Sequence, residues 1–147
     1  MKVRIQKNSF NAGQEINNFS ANQKNIGAVT TFTGIVRDNS AETLKVMEIE
    51  HYPGMAEKAI HEIVDTAIAR WSLADVLVIH RFGALVPGDV IMMVATAASH
   101  RKDAFEAAEY LMDYLKSRAP FWKKEITQET ANWVLSKETD ENSLSRW

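Results

Sequence analysis

Two unbroken apolar runs, Val76-Leu77-Val78-Ile79 and Ile91-Met92-Met93-Val94, mark the middle of the chain. Such runs predict apolar strands over Asp75 to Phe82 and Val90 to Ala98. The loop between them holds Gly83, Pro87 and Gly88, which predicts a hairpin. From Gly27 to Val36 the residues are largely β-branched or aromatic, with Gly34 among them. That pattern predicts a strand with a bulge or a close backbone approach at the glycine. Lys2 to Ile5 alternates as a short strand does. After the turn chemistry of Arg37-Asp38-Asn39-Ser40, the alternation of Leu44 and Val46 changes phase before Ile49 and His51. A bulged strand over Leu44 to Tyr52 is therefore expected. Phe121 to Thr127 and Asn132 to Leu135 add two short strands.

Helical spacing replaces this pattern twice. Following Pro53, residues Met55, Ala56, Ala59, Ile60, Ile63, Val64, Ala67, Ile68 and Trp71 predict a long helix packed by one face. A second runs from about Arg101 to Arg118, with Ala104, Phe105, Ala108, Leu111, Met112 and Leu115 as its stripe, and Pro120 bars its continuation. The asparagine-rich stretch from Asn8 to Asn25 has room for a short helix around Gln14 to Phe19. Ser136 to Trp147 is polar and reads as a mobile tail. Helices interspersed among strands, some in hairpins, give an α+β class in one domain spanning 1–147. Neither a GxGxxG nor a P-loop pattern occurs.

Composition narrows the function. The formal net charge is −2, which argues against a chain that grips nucleic acid along its length, so any basic site must be local. With no cysteine there is neither a disulfide nor a thiolate nucleophile, and any sulfur chemistry must use borrowed sulfur. Met1 to Lys7 lacks the apolar core of a signal peptide, and no later run approaches the ~18 residues that span a bilayer. The expectation is a soluble cytosolic protein without a membrane role. His51, His61, His80 and His100 show no metal-ligand spacing, so no metal is expected. There is no G-x-S-x-G elbow, and Glu48 with Glu50, or Asp140 with Glu141, reads more easily as solvent-facing charge than as a glycosidase pair.

The candidate chemistry is cationic. Ser99-His100-Arg101-Lys102 opens the second long helix, where the helix dipole is already positive. The placement suits a bound anion, although a solvated, Ser99-capped helix start fits equally well. At the other end stand Lys116, Arg118, Lys123 and Lys124. Arg118 answers the dipole alone. Lys116 falls beside Phe105 and Met112 on the margin of the apolar stripe, so its stem is expected to be partly buried and its amine easier to deprotonate; snorkelling to solvent is the bland alternative. A period of two puts Lys123 with Phe121 and Glu125 on one strand face and Trp122 with Lys124 on the other. One lysine is thus placed to face a site, although a charge-protected edge strand reads similarly. His80-Arg81 and His100-Arg101 end apolar strands, where polar groups can simply mark the edge of a sheet.

Taken in order, these segments carry a resemblance. Phe32-Thr33-Gly34-Ile35-Val36-Arg37, Glu50-His51-Tyr52-Pro53-Gly54-Met55-Ala56, His80-Arg81-Phe82-Gly83 with Gly88, Ser99-His100-Arg101 with Ala104-Phe105, and Lys116 through Glu125 together resemble the molybdopterin synthase large-subunit family, from about Gly27 to Val134. The resemblance implies an α/β-hammerhead fold and a homodimer of large subunits, each carrying a small ubiquitin-like sulfur-carrier subunit to make a heterotetramer. The carrier's C-terminal Gly-Gly thiocarboxylate would enter the large subunit and deliver two sulfurs to cyclic pyranopterin monophosphate. Lys116 and Lys123 match the family's catalytic lysines. Arg37, His100 and Arg101 match its anion- and substrate-binding residues, and Phe32 and Glu125 fall on positions that line the site. No resident cofactor is implied. A noncatalytic module that holds an acidic partner tail in the same basic pocket is the alternative.

Overall fold

The computed structural model describes residues 1–21 and 23–147. The elements run β1 (Lys2–Gln6), α1 (Ala12–Ser20), β2 (Ala28–Ile35), β3 (Val46–His51), α2 (Met55–Trp71), β4 (Asp75–Arg81), β5 (Gly83–Leu85), β6 (Val90–Ala98), α3 (Arg101–Arg118), β7 (Phe121–Ile126), β8 (Ala131–Trp133) and α4 (Glu138–Ser143), then a 3-10 turn at Leu144–Arg146. Within the polar stretch from Asn8 to Asn25, position 22 lies outside the described residues. Two 4-stranded sheets form, ordered β1-β4-β6-β2 and β5-β3-β7-β8. The class is α+β, as expected.

The unalternating runs of β4 and β6 have a direct cause. Val76, Val78, Met92, Val94 and Ala98 join a core with Ile60, Val64 and Ala67 of α2 and Ala104, Ala107 and Leu111 of α3. Leu77, Ile79, Met93 and Ala95 lie on the other face, where Phe10, Ala12, Ile16 and Phe19 cover them. Val76 to His80 and Ile91 to Ala98 are therefore buried whichever way each side chain points. β4 and β6 are antiparallel neighbours, but their connection is more than a hairpin loop. It carries β5, which leaves the first sheet and pairs with β3 in the second, Met47 opposite Leu85. That short strand ties the two sheets together.

The bulge predicted in β2 is present as a register shift between Gly34 and Ile35. The one predicted in β3 is not. β3 pairs with β7 in unbroken register from Val46 opposite Ile126 to His51 opposite Phe121. Leu44 precedes the strand, and the inward phase is set by Met47 and Ile49 alone. A positive φ of 80° at Gly54 turns the chain into α2, and the Glu57 carboxylate accepts the Gly54 N–H at 2.6 Å.

α3 lies against the first sheet through Ala104, Ala107, Ala108, Leu111 and Leu115, whose spacing centres the buried stripe. Phe105, expected in that stripe, is one position off its axis and is 63% exposed. The Thr96 hydroxyl, fully buried, donates to the Ala104 carbonyl at 2.8 Å and fixes the first turn of α3 to β6. Gly27 approaches even more closely: a Cβ there would collide with the Ser99 carbonyl oxygen.

Residues 136–147, expected as a mobile tail, instead form α4 and the terminal turn. Arg146 pairs with Glu109 at 2.6 Å and Asp113 at 2.7 Å. The Trp147 indole N–H donates to Asp113, and its ring meets Trp71 and Tyr110 edge-on. The polar composition concealed one terminal aromatic anchor.

Two stability measurements check this packing. Gly27→Ala is expected to cost roughly 1–3 kcal/mol in chemical denaturation, because rigid backbone must yield; an unchanged midpoint would show that the approach is loose. Trp147→Ala is expected to cost about 2 kcal/mol through the lost aromatic contacts and hydrogen bond, whereas no loss would mean that the terminus does not dock.

Candidate active site

Strand periodicity carries one lysine inward. Lys123 stands opposite Ile49 in the β3–β7 ladder, and Ile49 is 1% exposed. Directly opposed residues share a sheet face, so Lys123 points with Ile49 toward the interior, while Trp122 and Lys124 point out. On that outer face Trp122 meets Tyr52 edge-on and Lys124 lies over Trp133. Phe121 and Glu125 flank Lys123 on the inner face, as the spacing predicts; Glu125 stands about 7 Å along the strand.

Burial holds the Lys123 amine below the ordinary lysine range, and the neighbouring Lys116 charge lowers it further. Asp140 of α4 acts in the opposite sense. The expectation that Lys116 is the partly buried lysine is corrected: Lys116 is exposed. The buried stripe of α3 is centred on Leu111 and Leu115, so the margin carrying Phe105 and Lys116 turns to solvent. Lys123 therefore supplies the partly buried amine and Lys116 a charge beside it.

Two histidines complete the wall. Val76, Val78 and His80 share the face of β4 turned to α2 and α3, which carries the His80 ring onto Phe121 with centroids 3.9 Å apart. His51, opposite Phe121 in the ladder, lies 4.5 Å from the Phe82 ring and 5.9 Å from Phe121. His80 is only 7% exposed. Its pKa is lowered to about 4, first by burial and then by the charges of Lys123 and His51, against the opposing Arg81 backbone hydrogen bond. Neither histidine is among the site residues expected from sequence. The available signal was a histidine in the buried phase of an apolar strand.

The remaining residues divide between two ends of the first sheet. Arg37 is exposed just past Val36, which bonds to Asp89 and Gly88 at the start of β6. That is the end where β4 delivers His80 opposite Met92, two strand spacings across and three residues along the sheet, roughly 14 Å away. His100 and Arg101 are exposed at the start of α3, beside Ala98 and the beginning of β2. The length of α3 separates them from Lys116 by about 22 Å. Phe32 lies midway along the edge strand β2, opposite Val94 and 40% exposed. One chain thus gathers Lys116, Lys123, Glu125 and the two histidines, with Arg37 at the same end, but leaves His100 and Arg101 far off. Among the described residues, no three His, Cys, Asp or Glu side chains group to hold a metal ion.

The sequence profile of the family described as MoaE protein matches residues 5–118. The chain belongs to the MoaE family. It is 58% identical to the "Molybdopterin synthase catalytic subunit" of Cereibacter sphaeroides over 147 residues, covering 100% of both chains. With the protein of the same description from Escherichia coli it shares 48% identity, over 99% of this chain and 97% of that one. Among solved structures, the molybdopterin biosynthesis MoaE protein of Burkholderia ambifaria matches with a TM-score of 0.84 at 47% identity, covering 99% of this chain and 97% of the other. Molybdopterin synthase from Staphylococcus aureus matches at 0.81 and 33%, covering 89% and 95%. The profile includes Lys116 but stops short of Lys123, so the inward lysine of this MoaE chain lies in the part reached by the full-length matches.

The low His80 pKa has a measurable consequence. Unfolded, His80 takes up a proton near 6.5; folded, only near 4. Between those values the unfolded state binds more protons, so stability falls as pH drops. The contribution is roughly 3–4 kcal/mol, at about 1.4 kcal/mol per pKa unit. His80→Gln is expected to flatten the pH dependence of unfolding free energy between pH 6.5 and about 4 relative to the parent chain. Identical slopes would show that His80 titrates normally.

Proposed function

We propose that this chain is the catalytic subunit of a molybdopterin synthase, converting cyclic pyranopterin monophosphate to molybdopterin with two sulfurs from the C-terminal thiocarboxylate of a small ubiquitin-like carrier subunit. The observation that carries this reading is the Lys123 amine, partly buried on the inner face of β7, its pKa depressed beside the Lys116 charge. The descriptions of the relatives as catalytic subunits support it, as does a chain without cysteine, which must take its sulfur from elsewhere.

In this reading Lys116 receives the anionic carrier terminus and assists acyl transfer. Lys123, whose amine loses its proton more readily than usual, serves as acid–base group or stabiliser of the oxyanion. A carrier sulfur bonds to a substrate carbon as a C–O bond at that carbon breaks, the departing oxygen taking a proton from Lys123; water then cleaves the acyl C–S bond, releasing the carrier carboxylate and leaving the sulfur on the pterin as a thiol. Arg37, Phe32 and Glu125 line the site. In this reading the reaction runs in the cytoplasm. No helix of the described residues is long and apolar enough to cross a membrane.

His100 and Arg101 enter through a second copy of the chain. A pocket cannot span the ~22 Å that separates them from Lys116 in one subunit. A two-fold axis beside the edge strand β2, which exposes Phe32 and Ile35, would exchange the two ends of the sheet. It brings one subunit's Arg101 toward the other's Arg37 and lysines, where a substrate phosphate needs cationic hosts. A homodimer with one carrier on each subunit satisfies this geometry.

Purified chain, thiocarboxylated carrier and pterin precursor are expected to yield the dithiolene product. Lys123→Ala and Lys116→Ala should each lower its formation by about 100-fold or more while leaving carrier affinity within a few-fold. Near-normal turnover in either variant contradicts the assignment, and no product from the parent chain beside an active control leaves only a tail-binding module. Mixing inactive Lys123→Ala and Arg101→Ala subunits should restore activity, since each mixed dimer regains one intact site. Failure of mixed dimers to recover would place both residues in a single-chain site.

A further inference from the structure

Among the described residues, His80 is a buried titratable side chain to which the proposed chemistry gives no task. Its ring is held by two contacts of different kinds. One face stacks on Phe121, with centroids 3.9 Å apart and planes inclined by 21°. Nδ1 lies 2.8 Å from the Arg81 carbonyl oxygen. A carbonyl oxygen only accepts, so Nδ1 carries the hydrogen and Nε2 is left with a lone pair. No hydrogen bond to Nε2 occurs among the described residues, and Nε2 is not one of their buried unpartnered atoms, so its lone pair is open to a donor at the edge of the core.

Lys123 is the nearby donor. It projects from the same face of β7 as Phe121, two residues along, and Phe121 is the ring on which His80 rests. The charge of Lys123 is felt at His80. We infer that His80 is a positioning residue for Lys123: its Nε2 lone pair accepts a hydrogen bond from the Lys123 amine and aims that amine at the reacting atoms. This rests on the proposed reaction at Lys123.

The choice of a neutral acceptor follows from the work asked of the lysine. A carboxylate in that position would hold the amine as a fixed cation. An uncharged imidazole orients it while burial and the Lys116 charge keep its proton mobile. The Phe121 stack and the Arg81 carbonyl fix the imidazole first, so a flexible four-carbon side chain meets an anchored partner.

Two variants of the intact chain, assembled with thiocarboxylated carrier and supplied with pterin precursor, separate positioning from packing. His80→Phe keeps an aromatic ring against Phe121 but has no lone pair; His80→Gln keeps a neutral acceptor. The Phe variant is expected to lose about tenfold or more in kcat with KM for the precursor within about threefold, the pattern of a displaced catalytic group. The Gln variant is expected to recover most of that loss, whatever the thermal stability of either. Wild-type kcat in the Phe variant overturns the inference, and so does equal impairment of both variants, which would make the ring purely structural. A parent assembly that forms no product overturns the proposed reaction itself, an outcome distinct from an active parent indifferent to His80.

Discussion

The pairing of β3 with β7 is the constraint on which the site depends. Ile49 must be buried to close the core beneath the second sheet, and its direct partner across the ladder is Lys123. A cation is thereby drawn inward by the hydrophobic requirement of its neighbour. A slip of one residue would turn Trp122 and Lys124 inward and leave Lys123 in water. The register is secured at one end by the aromatic contacts of His51 with Phe82 and Phe121, and along β3 by the return of β5. The cost of burying an amine is thus borne by packing on both sides of it.

The first sheet supplies the frame. Its central strands are covered by α1 on one face and by α2 and α3 on the other, so β4 presents His80 from a rigid element. α3 runs back along β6, which sends Lys116 to the His80 end of the sheet and leaves His100 and Arg101 at the far one. Cationic groups at both ends of a long helix cannot serve one pocket in one subunit. The proposed dimer reconciles the separation with the need to hold two anions together.

Much of this was legible in the sequence where local periodicity decides the outcome. The unalternating runs of β4 and β6, the bounds of α3 at Arg101 and Arg118, and the opposed faces of Lys123 and Lys124 all follow from spacing. The errors came where tertiary packing chose among similar local patterns. Phe105 and Lys116 lie on a margin of α3 that the sheet does not reach, so a stripe drawn too wide buried them on paper. The phase change near Leu44 implied a bulge, yet Leu44 is buried from a position before the strand begins. The polar C-terminus docks through Trp147 and Arg146, whose partners on α2 and α3 are remote in sequence. His80 was visible in the inward phase of β4, but its partner Phe121 lies some forty residues further along the chain and only the fold joins them.

The most direct measurement is the titration of the Lys123 ammonium by NMR with lysine-selective labelling, in the parent chain and in Lys116→Met. A desolvated amine beside a like charge titrates below the ordinary lysine pKa of 10.5, and removing the Lys116 charge moves it back toward that value. A Lys123 that titrates normally in the parent chain, or does not respond to loss of Lys116, would contradict an active site built on a buried lysine.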